Sequence, residues 1–354
     1  MFKIISTAAV VGASILVAAP AHAQYYESKT IDLLIPVPGG SGLDLVARVF
    51  ADHLSKNIPG NPTIVPRNMP GGGGLISLNY LYDRAEPDGL TINFGPWQAP
   101  AVIAGDPGAN FVPEEFGFAG AGFQPTTTIM LTSPDLEIPE DIVNVARFKL
   151  AGSSPTGSLD LPGNLALDII GADYDFIPGY SGMAQQRPAL MGGEVQAVHS
   201  GFVGYNQFFK DTMIAEGEAI ALWHHTNFDL EGNPVADPAA SEEMPAFHEV
   251  YRKIHGELPS GPKWDAYRWY RTVVAQMQFT LFAPDGTPQE ALEELRTGYY
   301  ALAESPEFQE DFIALNGAPM TPMPLEQGLE IINTYRDVSS EILSTLEEMG
   351  AKGL

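Results

Sequence analysis

Apolar positions along the chain keep two rhythms. Short apolar runs at 31–37, 63–65 and 90–94 read as buried strands. The first run leads into a Pro/Gly loop and then into Leu43, Val46, Ala47, Val49, Phe50 and Leu54, a stripe at helical spacing. The second leads into Pro70 and four glycines, then Leu75, Leu78, Leu81 and Tyr82. Asn57-Ile58-Pro59-Gly60 stops the first helix, and Pro87-Asp88-Gly89 turns the chain after the second. Strand, glycine loop, helix, twice over and then a strand, is the grammar of a parallel α/β sheet.

The same grammar returns later. It predicts strands at 148–152, 175–178, 195–198 and 220–223, with helices at 161–170 and 185–191. Residues 226–262 are acidic and rich in Pro and Gly, with one helical stretch at 247–255. A strand at 280–283 then precedes "PDGTPQEALEELRTGYYALAES", where Leu292, Leu295, Tyr299 and Leu302 form a stripe. Two more helices, at 306–316 and 324–349, close the chain. These elements make two α/β lobes, with the chain crossing near Phe123 and returning near Val273. The expected division is 24–124 with 272–354 in lobe 1, and 125–271 in lobe 2.

Composition adds a compartment. Lys3, an apolar run at 4–19 and Ala21-His22-Ala23 read as a secretory signal peptide, residues 1–23, cut before Gln24. The run falls short of the roughly 20 residues a spanning helix needs. There is no cysteine, so no disulfide supports the exported fold, and 45% hydrophobic residues must supply the core. The formal charge is -26, and removing the +1 of Lys3 makes it -27. Such a surface repels nucleic acid and anionic lipid. An anionic ligand would have to be drawn in by local dipoles.

The two early loops could supply them. Loops leaving the carboxyl ends of strands line one crevice of an open α/β sheet. A helix that starts there offers unpaired N–H groups and about half a positive charge. Two such helix starts make an anion site without Lys or Arg. Gly39, Gly40 and Gly42, and Gly71, Gly72, Gly73 and Gly74, let backbone approach a ligand; they equally suit tight turns. Asp44, in the first helical turn, could hold a ligand hydroxyl or brace its own loop. In the second lobe "GSSPTGS" (152–158) and "GYSG" (179–182) are polar loops at predicted strand ends.

Catalytic and metal signatures are missing. The sequence has no G-x-S-x-G, no G-x-x-x-x-G-K-[ST] and no H-E-x-x-H, and "GGGG" lacks the dinucleotide spacing. His224 and His225 adjoin, which on a strand points them to opposite faces, and His248 and His255 are too far apart to share a helical face at the i, i+4 spacing of a metal pair. Structural roles are expected for these histidines, and packing for the aromatic cluster Trp264, Tyr267, Trp269 and Tyr270. No catalytic residue, metal or cofactor is expected.

The loops carry a resemblance. "IPVPGGSGLD", "NMPGGGGLIS", "PDGLTI", "GYSG" with "LMGGEV", "FAPDGTPQEALEEL" and the closing "MGAK" resemble, in order, motifs of the extracytoplasmic (Bug-type) receptors of the tripartite tricarboxylate transporter family. Pro36, Gly40, Asp44, Asn68, Pro70, Gly71, Gly73 and Gly74 match. Val37 stands where the family has an aromatic, Ser41 where it has a second glycine, and Met69 where it has Arg. The resemblance implies a two-lobe periplasmic-binding-protein (flytrap) α/β fold, each lobe a mixed, mostly parallel sheet flanked by helices. It also implies a monomeric receptor that clasps a small organic anion, a di- or tricarboxylate, and passes it to membrane permease subunits. Carried over by position, the ligand contacts are Val37 with Gly39, Gly40 and Ser41; Gly71 to Gly74; Ser153, Ser154, Thr156, Gly157 and Ser158; and Tyr180, Ser181 and Gly182. Trp97, after the third strand, and Ser200, near which the family often carries an acid, complete the set. Two alternatives stay open: a solute sensor for a signalling partner, and a secreted α/β hydrolase using Ser153, Ser154 or Ser158 with a histidine such as His199.

Overall fold

A computed structural model describes residues 24–229, 231–237 and 240–352. The expected signal peptide lies outside the described residues. The chain runs through β1 (Thr30–Ile35), α1 (Gly42–Asn57), β2 (Thr63–Asn68), α2 (Leu75–Asp83), β3 (Thr91–Gly95), α3 (Ala99–Ile103) and β4 (Gly117–Gly120). It continues with β5 (Thr126–Leu131), β6 (Phe148–Ala151), α4 (Asp160–Ile170), β7 (Tyr174–Ile177), α5 (Met183–Met191), β8 (Ala197–Gly201), α6 (Phe202–Tyr205) and β9 (Ala219–His224). A small hairpin, β10 (Asn227–Phe228) and β11 (Pro234–Val235), precedes α7 (Phe247–His255) and α8 (Pro262–Trp269). The last elements are β12 (Thr280–Ala283), α9 (Gln289–Glu304), α10 (Pro306–Asn316), α11 (Leu325–Thr334) and α12 (Ser340–Gly350).

Two five-stranded sheets result. One has the order β2-β1-β3-β12-β4 and the other β7-β6-β8-β5-β9. In the first, β1 pairs parallel with β2 and β3, and β12 runs antiparallel between β3 and β4. In the second, β6 pairs parallel with β7 and β8, and β5 runs antiparallel between β8 and β9. In both, an antiparallel strand is inserted beside a parallel core. This is the mixed α/β architecture that the sequence led us to expect. The apolar stripes land where their periods put them: Val46, Ala47, Phe50 and Leu54 of α1, and Leu292, Leu295, Tyr299 and Leu302 of α9, are buried.

Three features departed from the apolar pattern. The sequence "TTTIML" forms β5, an interior strand of the second sheet that the pattern passed over. Its three threonines are buried, and Thr127 Oγ1 donates to the Trp223 carbonyl, so a polar run serves as core. The short β4, "GFAG", was also passed over; a Cβ at its Gly120 would stand 2.4 Å from the Tyr299 ring, so the strand needs glycine there. The single helix expected at 324–349 is two, α11 and α12, because Ser339 caps a new start by accepting the Ile342 N–H.

The aromatic stretch at 264–270 forms α8 and runs into a π-helical turn, Tyr270–Val274. Trp264, Tyr267 and Tyr270 are buried, as packing residues should be. The C-terminal α12 lies against α3, α4 and α8. Lys352, just beyond it, and Lys263 of α8 both pair with Asp168 of α4. No helix among the described residues is long and apolar enough to cross a membrane.

Candidate functional site

The loops that follow β1, β2, β3, β6, β7 and β8 all contribute to the lining of one cavity. All six of these strands belong to the parallel parts of the two sheets, so the ligand crevice expected at strand carboxyl ends is built twice and shared. Gln124 and Gln278, from the two segments that join the sheets, line its floor. The cavity measures about 120 Å³. A single water takes roughly 10–15 Å³ on this scale, so there is room for on the order of ten non-hydrogen atoms.

The two sides touch at the rim. A Cβ on Gly73 would stand 3.4 Å from Ser154 Cβ, and one on Gly182 would stand 2.9 Å from Ser41 Oγ. A Cβ on Gly42, in the first turn of α1, would stand 3.0 Å from the Gly204 nitrogen of α6. Gln98 Nε2 donates to Ser158 Oγ across the cleft at 3.5 Å. The cleft is therefore in a closed arrangement, and glycine is what permits it.

Four helices aim their N-termini at this cavity. The N-cap residues of α1, α2, α4 and α5 are Ser41, Gly74, Leu159 and Gly182, and all four line it. No N-cap side chain bonds the first-turn N–H groups of these helices. Ser41 instead donates its hydroxyl to the Pro38 carbonyl at 2.8 Å. The glycines before α2 are held at φ of 57°, 66° and 105° (Gly72, Gly73 and Gly74), a region that favours glycine. The outcome is a pocket of backbone dipoles with positive ends inward. Among the described residues, no Lys, Arg or His lines it.

Two aspartates brace these loops in parallel fashion. Asp44, 2% exposed, accepts the Gly40 N–H at 2.8 Å, Asn68 Nδ2 at 2.7 Å and Arg48 Nε at 3.0 Å. Burial raises its pKa, but the bonds from Arg48, Gly40 and Asn68 more than offset this and hold it below the usual carboxylate range. Asp160, at the start of α4, accepts the Ser153 N–H, the Ser153 hydroxyl and the Ser154 N–H. Only Asp160 of the pair lines the cavity. We expect Asp44→Ala to loosen the first loop from β2 and cost about 1–3 kcal/mol of stability, the penalty for orphaning buried donors. The difference from wild type in a thermal melt should be full at neutral pH and should fade as pH falls through the lowered Asp44 pKa. A variant as stable as wild type at pH 7 would remove the bracing role.

Among the candidate residues from the sequence, Val37, Ser41, Gly71, Gly73, Gly74, Ser153, Ser158, Ser181, Gly182 and Ser200 come together around the cavity. Gly39, Gly40, Gly72, Ser154, Thr156 and Gly157 belong to the same loops without lining it. Tyr180 turns outward, its hydroxyl on Glu194 Oε1 at 2.5 Å. Trp97 is core: it stacks edge-on to Tyr335, and its Nε1 donates to the Val274 carbonyl at 3.3 Å. Sequence reasoning missed Asp160 and the glutamines at 98, 124, 186 and 278. The available signal, for three of the glutamines, was an amide set between apolar neighbours, as in "WQA" (97–99), "FQP" (123–125) and "MQF" (277–279).

Ser153 and His199, the pair named for the hydrolase alternative, do not meet. Ser153 is tied to Asp160, whereas His199 meets Thr128 Oγ1 at 3.0 Å and Asn164 Oδ1 at 3.4 Å. Burial drives the His199 pKa down to about 3, so it stays neutral in the core of the second sheet. His224 and His225 are likewise buried, bonded to Ser241 and to the Tyr267 hydroxyl.

Two α/β sheets whose strand-end loops close on one small cavity define a periplasmic-binding-protein fold, and solved structures share it. The periplasmic binding protein BugD matches with a TM-score of 0.65 over 93% of this chain and 98% of its own, at 20% identity. MatC from Rhodopseudomonas palustris with bound malate matches with a TM-score of 0.65 over 91% and 99%, at 18% identity. By sequence, a UPF0065 protein of Bordetella pertussis is 26% identical over 331 residues, 88% of this chain and 87% of its own length. BugT of the same organism is 23% identical over 321 residues, 87% and 86% of the two chains. No protein-family model matches the chain. In sequence the chain is thus similar to UPF0065 and Bug proteins, and in fold to BugD and MatC, in keeping with the resemblance its loop motifs carry.

Proposed function

We propose that the protein is a periplasmic receptor that captures a small organic acid between its lobes and delivers it to a tripartite tricarboxylate-type permease. The observation that carries this reading is the convergence of four uncapped helix N-termini on one small, cation-free cavity. Backbone dipoles draw a carboxylate in despite the protein's net charge of -26. The cavity volume suits an acid of about ten non-hydrogen atoms or fewer. The malate bound to MatC is of that size. The lobes are 24–124 with 272–354, and 125–271, with α12 laid across both. Ligand contacts come from Ser41, the glycines at 71, 73 and 74, Ser153, Ser158, Ser181, Gly182 and Ser200.

The test is a thermal-shift screen of the mature chain against small mono-, di- and tricarboxylates. A ligand of the folded state at 100 times its Kd adds about 2.7 kcal/mol, which shifts the melting temperature by several degrees. We expect such a shift with at least one small acid. A folded, ligand-free preparation that responds to none of them would overturn the reading.

A further inference from the structure

We propose that the ligand is a small acid bearing a hydroxyl or ammonium donor besides its carboxylate, and that the Asp160 carboxylate receives that donor. The inference rests on the receptor reading above.

Among the described residues, Asp160 is the one ionisable side chain that lines the cavity, and it is 2% exposed. Its three hydrogen bonds, from the Ser153 N–H at 2.8 Å, the Ser153 hydroxyl at 2.8 Å and the Ser154 N–H at 3.1 Å, all go to Oδ2. Among the described residues Oδ1 receives none. Asp44 does the same bracing in the first lobe but is paired with Arg48 at 2.9 Å. Asp160 has no such cation. Burial therefore dominates, pushing its pKa up to about 6 despite the serine bonds. A buried carboxylate held that way has an unmet demand for a donor.

Gln186 makes the same demand independently. It lines the cavity at 5% exposure, and its Nε2 donates to the Tyr180 carbonyl at 3.1 Å, which fixes the amide's orientation. Its Oε1 is buried with no hydrogen-bond partner. Both Asp160 and Gln186 belong to the second-sheet side. On the first-sheet side Ser41 and Gly74 begin α1 and α2, whose uncapped N–H groups favour an anion. The second-sheet side thus sets two acceptors that lack a donor, Asp160 Oδ1 and Gln186 Oε1, beside the N-termini of α4 and α5, and the first-sheet side presents those of α1 and α2. An acid without a donor would face Asp160 with nothing to offer, and its own charge would be repelled there. An acid with a hydroxyl or ammonium satisfies the helix N-termini and these acceptors at once.

The experiment is calorimetric titration of the mature chain at pH 7.5 with two matched series. Succinate, malate and aspartate differ at one carbon by H, OH or NH3+; propionate, lactate and alanine do so with one carboxylate fewer. We expect a donor-bearing member to bind at least about tenfold tighter than its donorless parent, the worth of one hydrogen bond to a charged group. The tighter of the hydroxyl and ammonium forms identifies the donor. Asp160→Asn, shown folded by its melting curve, should bring parent and derivative within about threefold of each other. Gln186→Met leaves the Asp160 loop untouched and serves if Asp160→Asn does not fold; it should narrow the preference severalfold. Succinate or propionate binding as tightly as any derivative, or a preference that survives the variants, would overturn this inference alone. No binding by any of the six acids would overturn the receptor reading with it.

Discussion

Gly42→Leu is expected to lower affinity for the ligand by at least roughly 100-fold while leaving the protein folded, because the population of the closed state enters the apparent affinity directly. Gly42 sits in the first turn of α1 with an ordinary helical backbone, so leucine brings no local strain and a better helix propensity by about 1 kcal/mol. The obstacle lies across the cleft. A Cβ at 42 would stand 3.0 Å from the Gly204 nitrogen and 3.4 Å from Gly204 Cα and from Val203 Cγ1. Two of those atoms are backbone and cannot swing aside. Gly204 has no slack of its own, since a Cβ there would stand 2.4 Å from Ser200 Oγ. The bulk of leucine must push α1 and α6 apart, which opens the rim and separates the two sides of the cavity. Gly42→Ala should show a smaller loss in the same direction. Calorimetric affinity for the acid with the largest thermal shift measures the effect, and solution scattering with that acid at saturation reads the opening. Wild-type affinity in Gly42→Leu would mean that α1 and α6 do not meet in the bound form.

Most of this architecture was legible because it is written in apolar periodicity. The stripes on α1 and α9 are one-sided and the runs of β1 and β3 are buried on both faces, and each pattern has one physical outcome. The glycine loops were legible too, since few residues other than glycine tolerate the φ values at 72, 73 and 74. Periodicity is blind where polar side chains are buried and satisfied. β5 was missed because its threonines find partners inside the second sheet. Asp160 and Gln186 were missed for a related reason. The loops beside them, "GSSPTGS" and "GYSG", were read as candidates, but which neighbouring side chain turns into the cavity is decided only once six loops from two sheets meet. Trp97 shows the converse error. Its place after β3 suggested the cleft, but its indole packs on Tyr335, a residue 238 positions later in the chain (335 − 97).

The second large effect is on stability. Arg271→Met is expected to destabilise the protein by about 2–6 kcal/mol, since two acceptors lose their buried donor at about 1–3 kcal/mol each. That is a large share of the roughly 5–15 kcal/mol that holds a folded domain together. Arg271 lies in the π-helical turn just before the chain returns to β12, and it is 2% exposed. Its Nε donates to the Thr226 carbonyl at 2.9 Å, one terminal nitrogen to Asn227 Oδ1 at 2.7 Å and the other to Thr126 Oγ1 at 3.5 Å. Its guanidinium carbon lies 5.5 Å from the centre of the Phe123 ring. One side chain thus ties the outgoing crossing at 123–126 to the returning one and to the end of β9. Methionine matches its length but donates nothing, so the acceptors on Thr226 and Asn227 lose a charged donor in the protein interior. One effect opposes this. Burial first, and then the Arg271 charge, keep the neighbouring His225 imidazole neutral, and removing the charge relieves that repulsion. The relief is small, because burial alone already holds His225 uncharged near neutral pH. Arg271→Lys should recover only part of the loss, since one ammonium cannot span acceptors that a planar fork reaches from three nitrogens. The urea midpoint of each variant measures the effect. A loss below about 1 kcal/mol in Arg271→Met would mean that the crossing segments are held by their packing against Phe123 and Tyr270, with the buried charge contributing little.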